Sequence, residues 1–307
     1  MDVVVRSNSL VKDYGRHRAL DGIDLAIERG EVFGYLGPNG AGKTTTLRLL
    51  VGLLRPTSGT ATAFGLDCWS DSLAVRARTG YLPGDVDLYP KMTGEDVLGY
   101  FMALRGLTDW RSPRALAERL DLDLRRPTRA LSRGNKQKLG IVQALMGEPE
   151  LLLLDEPTSG LDPLVQTEFH RLVRDAASRG CTVVLSSHVL SEVQQLADRV
   201  GIVRAGHLVA VESLEALREK SIHRVEARFS GIADRSRFAA LPGLRDLVVE
   251  PGVLRCRLPA AGLDSLVKVL ATLHLDDVSI VEGDLEELFL TFYEGSDDGA
   301  RAGQIPA

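Results

Sequence analysis

The chain has 307 residues, 44% of them hydrophobic and 26% charged, with a formal net charge of −5; it has room for one large and one small domain, or two of middling size, and can bury a core without staples. A mildly acidic balance argues against a protein that coats nucleic acid, since phosphate binding needs a cationic face. Cys68, Cys181 and Cys256 are too far apart for a C-x-x-C pair, the first residues lack a basic-then-apolar signal pattern, and no apolar stretch approaches the roughly 18 residues of a membrane span, so a cytosolic chain is expected and any work at a membrane requires a partner that supplies the spans.

In chain order, Val3–Val5 and Ile23–Ile27 alternate or are β-branched, like strands of an antiparallel edge. Glu31–Leu36 is a short apolar strand running straight into a glycine-rich turn. The pattern is then helical from Lys43 to about Leu54 and stops at Arg55-Pro56-Thr57-Ser58-Gly59. Between 85 and 135 the periodicity is helical, clearest over Glu95–Arg105 and Ala115–Leu120. Leu151–Leu154 and Thr182–Leu185 are continuous apolar runs, suited to parallel strands covered on both faces. The economical architecture for residues 1–220 is a parallel sheet with an antiparallel β edge and an inserted helical subdomain at about 85–150. After Lys220 the character changes. Ile222–Phe229 and Val253–Leu258 look like strands, Leu263–Leu273 like an amphipathic helix, and 221–294 like a small separate α/β module, with a disordered tail expected over 295–307.

Gly37-Pro38-Asn39-Gly40-Ala41-Gly42-Lys43-Thr44, followed by Thr45, fits G-x-x-x-x-G-K-[ST] with a strand before it and a helix after it. Glycines let successive backbone N–H groups curl around phosphates, and the helix N-terminus adds its positive dipole end. Lys43 would reach the β- and γ-phosphates of ATP, and the Thr44 hydroxyl would ligate Mg2+. The run Leu151–Leu154 ends in Asp155-Glu156. Alone, such a pair is often a solvated strand end; beside a phosphate loop it reads as a Mg2+-holding Asp155 and a general base, Glu156, for the attacking water.

At this point the residues resemble one family, the ATPases of ABC transporters. Leu131-Ser132-Arg133-Gly134-Asn135-Lys136-Gln137 is similar to the family's signature, usually Leu-Ser-Gly-Gly-Gln. Ser159-Gly160-Leu161-Asp162 resembles the D-loop, His188 the switch histidine that contacts the γ-phosphate, and Tyr14 the aromatic that stacks on adenine. The resemblance implies a P-loop NTPase cassette that works as a dimer. Ser132 and Gly134 of one copy would close on the nucleotide held by the other, with Asp162 at the interface. It covers about 210 residues.

Two departures stand out. Gly84, in Gly80-Tyr81-Leu82-Pro83-Gly84-Asp85, occupies the place of a glutamine that the family uses to ligate Mg2+ and to link the site to the membrane domain, which leaves Asp85 as the neighbouring oxygen donor. Arg133 and Asn135 replace residues usual in the signature, while Ser132 and Gly134 are kept. Asp284–Tyr293 resembles the closing helix of ATPase subunits from ABC-2-type exporters, among them drug and antibiotic efflux systems. The expected function is therefore that of an ATP-hydrolysing homodimer at the inner face of the cell membrane, held there by a separate multi-span permease. The alternatives are a soluble ABC-type ATPase acting on nucleic acid or ribosomes, disfavoured by the absence of sustained heptads and of a basic face, an importer subunit, and a module that binds ATP without hydrolysing it.

Overall fold

The computed structural model describes residues 2–281 apart from 221, 232, 233 and 240; the expected closing helix and tail lie outside the described residues. The chain divides into two compact units, Met1–Val211 and the part from Glu212 onward.

The first unit opens with two long strands, β1 (Val3–Tyr14) and β2 (His17–Glu28), which pair antiparallel; with β4 (Ser58–Ala63) and β5 (Leu66–Asp67) they form a four-stranded sheet of order β2-β1-β4-β5. Both leading strands run well beyond their apolar stretches, because their polar halves are held by pairing with each other. The second sheet has six strands: β3 (Val32–Leu36), β6 (Thr79–Leu82), β7 (Leu151–Asp155), β8 (Thr182–Ser187), β9 (Arg199–Arg204) and β10 (His207–Ser213), in the order β10-β9-β3-β8-β7-β6. The β9–β3, β3–β8, β8–β7 and β7–β6 pairs are parallel. Every residue of β3, β7 and β8 is buried, as continuous apolar strands covered on both faces should be.

Helix α1 (Lys43–Leu50) follows β3 directly. It ends about four residues before the expected stop, because Gly52 takes a φ of 67° and the Leu53 N–H closes on the Arg48 carbonyl at 2.8 Å, a C-terminal cap that terminates the helix. A short helix, α2 (Ser72–Ala77), leads into β6. Three helices, α3 (Gly94–Leu104), α4 (Arg111–Arg119) and α5 (Arg133–Leu145), fill the stretch between β6 and β7. Helix α3 starts in a reciprocal cap: Thr93 Oγ1 accepts from the Asp96 N–H at 3.1 Å, and the Thr93 N–H donates to Asp96 Oδ2 at 2.8 Å. Helices α6 (Pro163–Ser178) and α7 (Leu190–Leu196) separate the last strands of the parallel core.

The second unit begins with α8 (Leu214–Lys220) and holds β11 (Ile222–Ser230), α9 (Ser236–Ala239), β12 (Arg245–Glu250), β13 (Val253–Pro259), α10 (Ala260–Leu270) and β14 (His274–Val281). Its strands are antiparallel in the order β12-β13-β11-β14. Period-two alternation sorts β11 cleanly: Val225, Ala227 and Phe229 join Phe238, Leu266 and Leu270 in a buried core, while Arg224, Glu226 and Arg228 face outward. The three cysteines are free and buried, and burial pushes the Cys68 and Cys181 thiols up to about 12, so neither is a thiolate at neutral pH.

Leu153, fully buried in β7, packs in the core shared by the two sheets of the first unit. Leu153→Ala should cost about 2–5 kcal/mol, seen as a lower urea midpoint with an unchanged slope.

Candidate functional site

The phosphate loop spans the turn from β3 into α1. Its last glycine is set by both conformation and space: Gly42 has a φ of 106°, and a Cβ there would stand 2.5 Å from Leu20 Cδ2 and 2.8 Å from the Ala19 carbonyl. Gly42 is also the N-cap of α1, so no side chain occupies the first N–H groups of the helix and no acid sits in its first turn. Those N–H groups and the dipole end are left for an anion.

Lys43 is buried, and its Nζ donates to the Gly37 and Pro38 carbonyls at 2.7 and 3.2 Å. The same ammonium lies 3.2 Å from Glu156 Oε1, a charge contact not aligned as a hydrogen bond; that oxygen is buried and accepts none. The other oxygen, Oε2, meets His188 Nδ1 at 2.8 Å. A lysine and a histidine from two separate segments thus converge on the Glu156 carboxylate. With Tyr14, His17, Asn39, Gly40, Gly42, Thr44 and Thr45, Lys43 and Glu156 line a cleft of about 290 Å³. Tyr14, at the end of β1, is 45% exposed and so has a ring face available, with Lys12 Nζ 5.3 Å from its centroid.

Glu156 has a φ of 47°, in the left-handed region that a non-glycine residue enters at a cost of about 1–3 kcal/mol unless its surroundings impose it. Two neighbours impose it here. The Ser186 hydroxyl accepts the Glu156 N–H at 3.0 Å, and buried Gln137 donates to the Pro157 carbonyl at 3.0 Å and the Glu156 carbonyl at 3.4 Å. The Ser186 hydroxyl also donates to Asp155 Oδ1 at 2.7 Å, which fixes a carboxylate that is only 1% exposed. Sequence reading assigned no role to Ser186 or Gln137. The available signal for Ser186 was a pair of serines closing a strand whose middle is apolar.

The signature residues sit elsewhere: neither Ser132 nor Gly134 lines the cleft. Ser132 caps α5 by accepting the Asn135 N–H at 3.2 Å. Gly134 lies so close to the D-loop that a Cβ would be 2.7 Å from the Gly160 carbonyl, and Arg133 Nη2 donates to Ser159 Oγ at 3.1 Å. Asp162 caps α6, accepting the Leu164 and Val165 N–H groups at 3.1 and 3.0 Å, and does not line the cleft either.

The donors suited to a divalent cation are the Thr44 hydroxyl and the Asp155 carboxylate, both hard oxygen ligands; among the described residues no cluster of three or more His, Cys, Asp or Glu could hold a metal by itself. That set fits Mg2+, which takes few protein ligands and completes its shell with phosphate oxygens and water. No helix among the described residues is long and apolar enough to cross a membrane.

Comparison with known proteins agrees with this geometry. The ABC transporter family profile matches residues 20–159. The chain is 36% identical to the bacitracin transport ATP-binding protein BcrA of Bacillus licheniformis over 236 residues, 75% of this chain and 76% of that protein. It is 36% identical to the daunorubicin resistance ATP-binding protein DrrA3 of Streptomyces coeruleorubidus over 301 residues, 94% of this chain and 95% of the relative. Among solved structures, the ATP-binding subunit of an ABC transporter is 28% identical with a TM-score of 0.67, covering 71% of this chain and 92% of its own. The chain belongs to the ATP-binding proteins of ABC transporters, which are ATPases.

Proposed function

We propose that this chain is the ATP-hydrolysing subunit of a drug or antibiotic exporter, working as a homodimer on a separate ABC-2-type membrane permease. The observation that carries the exporter reading is the extent of one likeness: the match to the daunorubicin resistance protein runs over 301 residues, far beyond the family profile's 20–159. It therefore takes in residues from both compact units, including the module proposed over 221–294.

In the cleft, Lys43 and the N–H groups of the loop from Gly37 to Thr45, including those of Asn39 and Ala41, hold the β- and γ-phosphates, and Tyr14 stacks on adenine. Thr44 and Asp155 hold Mg2+, which when bound neutralises charge on the phosphate oxygens. Glu156 is the base that orients and deprotonates the attacking water, and His188, 2.8 Å from it, holds that carboxylate and reaches the γ-phosphate. A γ-phosphate competes with Glu156 for the Lys43 ammonium, so binding ATP loosens the carboxylate from its ion pair and leaves it to the water. Ser132 and Gly134 lie outside the cleft of their own chain and would complete the cleft of a second copy, with Asp162 and the D-loop alongside.

A groove on this chain offers the permease a docking surface. An apolar groove of about 610 Å³ is walled by Leu53, Leu73, Tyr81, Pro83, Phe101 and Leu104, of which Leu73 is 79% exposed and Leu104 66%. Exposed aliphatic side chains around a groove fit the apolar face of a partner helix.

Glu156→Gln should reduce phosphate release by at least about a thousandfold while ATP drives the protein to a stable dimer on size exclusion, as loss of a general base demands; wild-type turnover would remove Glu156 from that role. Leu73→Asp with Leu104→Asp should abolish co-purification with the membrane permease while ATPase of the purified subunit stays within about twofold, since a charge at an interface core destroys docking without touching the cleft. Undiminished co-purification would place the permease on another surface.

A further inference from the structure

The turn after β6 separates the groove from the phosphate site. Tyr81 and Pro83 face the groove, and the next residue, Gly84, lies against Asp155. Gly84 is not among the residues with positive φ, so its backbone conformation does not call for glycine. Space does. A Cβ at this position would stand 3.2 Å from Asp155 Oδ2, 3.4 Å from Asp155 Cγ and 3.7 Å from the Asp155 carbonyl oxygen, and these are its three nearest atoms. The first distance is a few tenths of an ångström inside ordinary contact, so a methyl fits only if the carboxylate moves. Asp155 is badly placed to move. It is buried at the end of β7, in register with Ser186, and the Ser186 hydroxyl holds its Oδ1 at 2.7 Å while accepting the Glu156 N–H at 3.0 Å.

We propose that Gly84 is a positioning residue for Asp155. The absent side chain leaves room for Asp155 Oδ2, so the carboxylate keeps the position from which it can serve a divalent cation and its water. This rests on the assignment of Asp155 to Mg2+ under Proposed function, and the experiment separates the two.

The measurement is binding of a fluorescent ATP analogue to the purified full chain, titrated with Mg2+ and repeated in EDTA. Gly84→Ala should raise the Mg2+ concentration for half-maximal enhancement roughly tenfold, as displaced metal-site supports do, with affinity in EDTA within about twofold of wild type. Gly84→Gln should do the same, since it introduces the same Cβ. Asp85→Ala, which trims an exposed side chain, should change nothing. In a Ser186→Ala background the carboxylate is freed to yield, so adding Gly84→Ala there should cost less than about twofold, a coupling that a general loss of stability would not produce. If Gly84→Gln binds Mg2+ as tightly as wild type or more tightly, or if Asp85→Ala carries the tenfold loss, the proposal is overturned. Asp155→Asn is the control. If it raises the Mg2+ requirement while Gly84→Ala does not, the glycine proposal falls alone; if it leaves the requirement unchanged, the metal assignment falls and takes the proposal with it.

Discussion

The register of β7 against β8 sets Asp155 opposite Ser186, and that pairing decides where both carboxylates at the strand end point. One serine hydroxyl donates to Asp155 and accepts from the backbone of Glu156, so the two neighbouring acids are held by a single atom. Adjacent aspartate and glutamate would otherwise repel and drift apart in solvent. Here the first is buried in the sheet, and the second is turned by a left-handed backbone into the cleft, where it meets Lys43 and His188. A one-residue slip between the two strands would bring Leu185 or Ser187 level with Asp155 in place of Ser186, and both acids would lose their anchor.

The cleft is accordingly arranged around a shortage of positive charge. Lys43 is the buried cation of the phosphate loop, and two of its donors are already committed to the loop's own carbonyls, which keeps the loop curled. Its remaining attraction is divided between Glu156 and any phosphate that enters. An anion bound by Lys43 would therefore also change the surroundings of Glu156. The helix end at Gly42 adds positive potential, with no capping side chain and no acid in the first turn of α1 to offset it.

Much of this site was legible in the sequence because backbone chemistry constrains residue type. A phosphate loop needs glycine where φ is positive and lysine within reach, and an apolar strand ending in two acids marks a sheet edge. What was not legible depends on long-range pairing. The third strand of the antiparallel sheet, Ser58-Gly59-Thr60-Ala61-Thr62-Ala63, is small and polar and becomes a strand only by bonding to β1; no local preference marks it. Thr79–Leu82 is four residues long and contains a glycine, yet it is the edge of the parallel core. Ser186 and Gln137 act through residues 31 and 20 positions away, a distance at which no pattern of spacing speaks. Gly84 read as a missing ligand, and only the packing reveals that the site has closed around its absence.

The signature region and the hydrolytic turn also form one connected piece. Gln137 on α5 holds the Glu156-Pro157 carbonyls, the Ser159 N–H returns to the Glu156 carbonyl at 3.1 Å, Arg133 reaches Ser159, and Gly134 rests on Gly160. The turn that carries Glu156 is thus packed on the first two turns of α5. Close packing transmits displacement rather than absorbing it. A displacement of Ser132 or Gly134 would therefore be felt at the backbone of Glu156, whose φ of 47° is held by the same contacts.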